Sequence, residues 1–69
     1  MSQDYKMKLA ENVKKLRLSK KMTREELSLA LGVDNSYISK VEKAKVNITI
    51  DRIQNIADYF NIDFLKLFK

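Results

Sequence analysis

The side chains in this sequence that could do chemistry are amides, hydroxyls and cations. They are dense in residues 35–43, which include Asn35, Ser36, Tyr37, Ser39, Lys40 and Lys43. Such groups donate and accept hydrogen bonds or carry positive charge, which is the chemistry of binding. The 69-residue chain has no His and no Cys, and this excludes the common structural zinc sites, iron–sulfur clusters, disulfides and imidazole or thiol catalysis.

The carboxylates offer no catalytic arrangement either. Asp34, Asp51 and Asp63 stand at predicted helix starts, and the other acidic residues stand among basic ones. No partner constellation for acid–base chemistry is visible among them. We therefore expect a protein that is not an enzyme, with no catalytic residue, no metal site and no cofactor.

The charge of the chain indicates an anionic partner. Fourteen Lys and Arg residues against nine Asp and Glu residues give a net charge of +5. Residues 1–21 hold seven basic and two acidic residues, whereas residues 46–69 hold three of each. One part of the chain is therefore suited to an anion, and the other has a different role.

The elements that must position these groups are predicted to be helices. Hydrophobic residues make up 45% of a chain with one Gly and no Pro, which favours packed helices over hairpins. Apolar periodicity and capping residues predict helices at about 5–19, 23–31, 35–43, 50–60 and 64–68. Segment 46–50 alternates like a strand but has no partner strand, so we reject a strand there. Residues 1–69 are therefore predicted to form one compact all-α domain of five helices.

Individual residues mark the predicted helix ends. Thr23 and Glu26 are spaced as a capping box at the start of the second helix. Gly32, the single glycine, suits the left-handed residue that follows this helix. Asp34 is predicted to cap the third helix, and Thr49 the fourth.

The chain has no segment that predicts membrane association. No apolar run approaches the roughly 20 residues that span a bilayer, and the polar start of the chain lacks a signal-peptide core. We expect a soluble, cytoplasmic protein with no membrane partner. Its length leaves no room beside the helices for a ligand-sensing domain, so no small-molecule ligand is expected.

A set of short motifs follows in a fixed order along the chain. The motifs are Lys15-Leu16-Arg17, Met22-Thr23-Arg24-Glu25-Glu26-Leu27, Leu31-Gly32-Val33, Ser36-Tyr37-Ile38-Ser39-Lys40-Val41-Glu42, Asn47, Ile56-Ala57 and Leu67-Phe68. In this order and spacing the chain closely resembles the phage-repressor and Cro-like helix-turn-helix family of bacterial transcriptional regulators. The resemblance implies a lambda-repressor-like fold, with the helix-turn-helix formed by the second and third helices, and sequence-specific binding to double-stranded DNA.

The resemblance also implies roles for single residues. Base contacts are expected from Arg24, Asn35, Ser36, Tyr37, Ser39 and Lys40. Phosphate contacts, which fix register without reading sequence, are expected from Thr23, Lys43, Lys45 and Asn47. Arg17 and Glu42 are expected to form a structural ion pair rather than to touch DNA. The alternative for each polar residue is a solvated or helix-starting side chain without a DNA contact.

Two departures from the family pattern carry expectations of their own. Ala44 stands where the family often has Gly, so we expect the third helix to end without the usual left-handed turn. Leu65 stands where a polar residue is common. Because four of the five residues in 64–68 are apolar, they span too wide an arc for one small core, which predicts a two-fold dimer interface. That interface comprises Asn55, Tyr59, Leu65 and Phe68.

The leading hypothesis is a homodimeric transcriptional regulator, which could be a phage or plasmid repressor, a restriction–modification controller or an antitoxin-like autoregulator. Its recognition helices, 35–43, would enter successive major grooves of a pseudo-palindromic operator. The alternative is a small adaptor or antitoxin-like module that docks on another protein through its apolar C-terminal helix. The adaptor would bind DNA without sequence preference and with little dependence on Asn35 or Ser36.

Overall fold

The computed structural model describes residues 4–69, which fold into four α-helices and one short 3₁₀ helix. The α-helices are α1 (Asp4–Ser19), α2 (Arg24–Ala30), α3 (Tyr37–Glu42) and α4 (Ile50–Phe60), and the 3₁₀ helix is Phe64–Phe68. The described residues contain no strand, which confirms the all-helical class and the rejection of a strand at 46–50. None of their helices has the length and apolar character needed to cross a bilayer.

Four of the five predicted helices are α-helices, and the fifth, segment 64–68, is a 3₁₀ helix because it winds more tightly. The Lys66 N–H donates to the Asp63 carbonyl three residues earlier, at 2.9 Å, which is the 3₁₀ pattern. The Asp63 carboxylate also accepts a hydrogen bond from the Leu65 N–H. This local bonding begins a 3₁₀ helix of five residues.

The apolar core lies among all five elements. Its buried members are Leu9, Val13, Leu27, Ile38, Val41, Ile53, Ile56, Ala57, Phe60 and Leu67. Each buried Val, Leu, Ile or Phe side chain contributes about 1.5–3 kcal/mol relative to exposure. The short helices α2 and α3 would be marginal alone, so they depend on this packing for their stability.

The start of α3 differs from the prediction. The helix begins at Tyr37, so Asn35 and Ser36 belong to the turn before it and not to its first turn. Asp34 does not cap the helix: its carboxylate accepts hydrogen bonds from the backbone N–H and the hydroxyl of Ser36. A short acidic side chain that bonds backbone two residues ahead stabilises a turn in competition with the helix.

The other helix ends follow the predicted chemistry with one exception. Thr23 and Glu26 form both bonds of the capping box, Gly32 is left-handed at φ +74°, and Thr49 accepts a hydrogen bond from the Arg52 N–H. The exception is Ala44, which adopts a left-handed conformation at φ 57° although it is not glycine. The expectation that the third helix ends without this turn is therefore wrong: the fold requires it and tolerates the strain of the Cβ atom.

Candidate nucleic-acid interface

A polar cleft of about 520 Å³ lies between the start of α2 and the start of α3. Its lining residues are Arg17, Met22, Thr23, Arg24, Glu25, Asn35, Ser36 and Ser39. The structure therefore brings together four of the six side chains expected to contact bases and one expected to contact phosphate. Tyr37 and Lys40 do not line this cleft.

A buried hydroxyl joins α2 to the start of α3. Ser36 makes no side-chain hydrogen bond as the N-cap of α3, and the Ile38 N–H instead donates to the Ser28 hydroxyl at 3.1 Å. Ser28 is fully buried. Because the bond satisfies a first-turn N–H group, it fixes how α3 sits against α2. Ser28 was not among the expected site residues, because a hydroxyl within the second helix was its only signal in the sequence.

Two arginines share one buried carboxylate behind the cleft. Arg17 donates to Glu42 through Nε at 2.7 Å and Nη2 at 3.2 Å, which places the two expected partners in contact. Arg24 donates through Nε to the same carboxylate at 3.1 Å. Arg17 Nη1 also donates to the Met22 carbonyl at 2.7 Å, so the network ties α1, α3 and the loop before α2 together. The second arginine on Glu42 was not predicted, because the family resemblance implied only the pair with Arg17.

Tyr37 and Arg52 stack at the junction of α3 and α4. The Arg52 guanidinium carbon lies 5.8 Å from the centre of the Tyr37 ring, within the range of a cation–π contact. Burial raises the pKa of the Tyr37 hydroxyl, and the positive charge of Arg52 opposes that rise. Arg52 was not among the expected site residues, because its only signal in the sequence was a positive charge in the first turn of the fourth helix.

The remaining expected DNA contacts form an exposed basic group beside α3. Lys40 is exposed on the helix, and Lys43, Lys45 and Asn47 are exposed at and after its end. The left-handed turn at Ala44 separates Lys43 from Lys45. None of these three lysines forms a salt bridge within residues 4–69, so their charge is available to an anion.

The residues expected at a dimer interface differ in exposure. Leu65 is 58% exposed and Tyr59 is 39% exposed, and Asn55 is also exposed. Phe68, also expected at the interface, is half-buried instead of exposed, and its ring centre lies 5.6 Å from that of Phe64. The Tyr59 hydroxyl donates to the Met22 sulfur at 3.7 Å.

A long-range hydrogen bond holds the 3₁₀ helix against α1. The Asn12 amide nitrogen donates to the Leu67 carbonyl at 2.7 Å. The sequence pattern places Asn12 on the outer side of α1, so it gave no indication of this bond. Among the described residues, no three acidic side chains come together in a way that could hold a metal ion.

Comparison with known proteins gives consistent matches. Residues 13–67 match the helix-turn-helix family. A hypothetical transcription factor of Neisseria meningitidis serogroup B is 36% identical over 80% of this chain, and the match spans about half (52%) of that relative's length. The control protein C.SmaI of Serratia marcescens is 33% identical over 93% of this chain and 76% of its own.

Solved structures of two similar proteins share the fold. The crystal structure of a hypothetical transcription factor from Neisseria superposes with a TM-score of 0.91 at 30% identity, covering 100% of this chain and 79% of that chain. The restriction–modification controller protein C.AhdI from Aeromonas hydrophila superposes with a TM-score of 0.83 at 28% identity, covering 91% of this chain and 96% of that chain. Since the family match extends over most of the sequence, the chain belongs to the helix-turn-helix family.

Proposed function

We propose that this protein regulates transcription by binding a specific operator in double-stranded DNA as a homodimer. In this proposal α2 and α3 form the helix-turn-helix, and α3 lies in the major groove. The observation that supports it best is the cleft between these helices, where Arg24, Asn35, Ser36 and Ser39 meet in a basic chain of this family.

Base recognition is assigned to the side chains at and beside the start of α3. Asn35 can bond adenine N6 and N7 together, and Ser36 and Ser39 can bond several base edges. Because Asn35 and Ser36 precede the helix, the turn stabilised by Asp34 orients them. Tyr37 and Lys40 extend the same surface, and Arg24 reaches it from α2.

Phosphate contacts are assigned to the surrounding groups. Lys43, Lys45 and Asn47 are exposed where the chain leaves α3. The Thr23 hydroxyl accepts the capping bond from Glu26, which leaves its own proton free to donate to a phosphate oxygen. These contacts set affinity and register on the DNA and do not read its sequence.

Dimerisation is assigned to Leu65 together with Asn55, Tyr59 and the partly exposed edge of Phe68. An isolated exposed leucine is ordinary on a protein surface. The support here is that Leu65 and Tyr59 are exposed in a segment of balanced charge, 46–69, so that two copies can approach. A two-fold axis there would place two recognition helices about 34 Å apart on a pseudo-palindromic operator.

Within the family, we assign the protein to the restriction–modification controllers. The support is the similarity to the control protein C.SmaI and to the structure of the controller C.AhdI. An operator upstream of restriction or modification genes would follow from this assignment.

Selection from random duplex DNA tests the whole proposal. A library with about 30 randomised base pairs, roughly three turns of DNA, accommodates two half-sites one turn apart. We expect a pseudo-palindromic motif whose binding weakens with salt by about 0.9 log units per neutralised phosphate for each log unit of salt. Binding without any sequence preference would refute the operator and favour the adaptor alternative, in which Leu65 docks on a different protein.

The matched variants Asn35→Ala and Lys45→Ala distinguish base recognition from phosphate contact. Asn35→Ala is expected to relax preference at one position of each half-site at a cost of about 1–3 kcal/mol on the preferred sequence. Lys45→Ala is expected to weaken binding to all DNA sequences about equally. If both variants lost affinity equally for all DNA sequences, the assignment of Asn35 to base recognition would be contradicted.

A further inference from the structure

The Glu42 carboxylate makes more bonds than a structural ion pair requires. Arg17 alone reaches both of its oxygens, through Nε to Oε2 and Nη2 to Oε1. The side chains of Arg17 and Glu42 are buried, at 8% and 3% exposed. The two charges satisfy each other through this bidentate pair. Arg24 then adds a third charge-assisted bond to Oε1 at 3.1 Å.

The third bond, from Arg24, adds little to the stability of the fold. The Arg24 side chain is 47% exposed, and ion pairs that involve an exposed partner add little to folding. The bond does restrict a long side chain that otherwise samples many rotamers. Part of the conformational entropy that Arg24 would lose on binding DNA is therefore already lost in the free protein.

The geometry leaves one edge of the Arg24 guanidinium available. Its Nε is occupied by Glu42, and its two terminal nitrogens have no hydrogen-bond partner within residues 4–69. Two such nitrogens form a planar fork that matches the O6 and N7 acceptors of guanine or two oxygens of a phosphate. Arg24 lines the cleft together with Asn35 and Ser36, which places the fork among the proposed base contacts.

The local charge favours the same partner. Two guanidinium groups around one carboxylate leave a net positive charge behind the cleft. That charge attracts the DNA polyanion, and the acceptor edge of a guanine can then bond the two free nitrogens without displacing Glu42.

We infer that Glu42 is a positioning residue for Arg24, whose terminal nitrogens read a guanine beside the bases contacted from the start of α3. This inference rests on the proposed DNA-binding function and adds to it a second recognition element, supplied by α2. Glu42 therefore has two roles: it neutralises Arg17 within the fold and orients Arg24 toward DNA.

The experiment compares base-preference profiles selected from the random duplex library. The variants are Arg24→Lys, Glu42→Gln and the double variant, with Arg17→Lys as the matched control that leaves both Glu42 and Arg24 in place. We expect Arg24→Lys to keep its charge but, without the planar fork, to lose preference for guanine at one position of each half-site by roughly 5- to 150-fold. Glu42→Gln should lose preference at the same position, the double variant should lose no more than either single one, and Arg17→Lys should keep it.

Several results would overturn this inference while leaving the proposed function intact. A uniform loss of affinity over all bases in Arg24→Lys would show that Arg24 contacts phosphate. An unchanged guanine preference in Glu42→Gln would show that Glu42 is structural only. A wild-type protein that selects no motif would instead refute the proposed function, and this inference with it.

A measurement on the free wild-type protein covers the case in which Glu42→Gln fails to fold. The Arg24 Nε–H should exchange with water more slowly than an unbonded guanidinium Nε–H, because it donates to a buried carboxylate. Nitrogen-15 NMR of the arginine side chains reports this exchange, with Arg24→Lys assigning the signal. Rapid exchange at Arg24 would overturn the inference without any variant of Glu42.

Discussion

Replacing Ser28 with alanine tests the bond that fixes α3 against α2. The variant removes the acceptor of the Ile38 N–H from a fully buried position. A buried donor left without a partner lowers the free energy of unfolding by about 1–3 kcal/mol. The higher helix propensity of alanine raises it by about 0.5 kcal/mol. The unfolding free energy should therefore fall by about 0.5–2.5 kcal/mol, and each kcal/mol lowers Tm by about 4–8 °C in a domain of this size.

Thermal and urea denaturation followed by circular dichroism measure this loss, and hydrogen exchange of the Ile38 amide reports the bond itself. Ser19→Ala is the matched control, because the Ser19 hydroxyl also bonds a backbone group but is exposed. It should change stability by no more than about 0.5 kcal/mol. A Ser28→Ala protein as stable as the wild type, with unchanged exchange at Ile38, would refute the reasoning.

Three further variants test other features. Ala44→Gly should raise the unfolding free energy by about 1 kcal/mol, because it relieves the left-handed strain at φ 57°; lower stability in urea would contradict this. Leu65→Asp should keep the helical circular dichroism signal and shift the protein to monomer in sedimentation velocity, and a wild type that is already monomeric at tens of micromolar would exclude the interface. Arg52→Gln should raise the pKa of Tyr37 further in a carbon-13 NMR titration, and an unchanged pKa would show that the guanidinium does not act on the ring.

The direction of the Tyr37 shift also predicts a pH dependence. Its folded pKa lies above the ordinary value of 10.0 because burial disfavours the phenolate. The folded protein therefore holds this proton more tightly than the unfolded chain does. The stability that this provides is complete below about pH 10, and it is lost as the pH rises through the folded pKa.

Sequence reasoning succeeds where the signal is local. The bounds of α4, Ile50–Phe60, follow from an apolar stripe and from Thr49, whose hydroxyl caps the first turn. The capping box of Thr23 and Glu26 is equally local, since its bonds link residues three apart. In each case the side chain and the backbone group that it bonds lie in the same turn.

Sequence reasoning fails where two local options compete or where the partner is distant. Asp34 can cap a helix or bond a turn, and only the packing of α3 decides for the turn. Ala44 takes a conformation that its side chain disfavours, because the fold needs the turn there. The hydrogen bonds between Ile38 and Ser28 and between Arg24 and Glu42 join residues that are 10 and 18 positions apart. No short sequence pattern therefore predicts them.

The bond from Asn12 to the Leu67 carbonyl has a consequence for how the molecule unfolds. It joins residues 55 positions apart and ties the smallest element to the longest helix. A five-residue 3₁₀ helix would ordinarily fray on its own, ahead of the rest of the protein. Here its opening must also break a bond to α1 and expose Leu67, which is fully buried. The surface that carries Leu65 is thus tied to the first helix, and we expect it to open less readily than an isolated five-residue helix would.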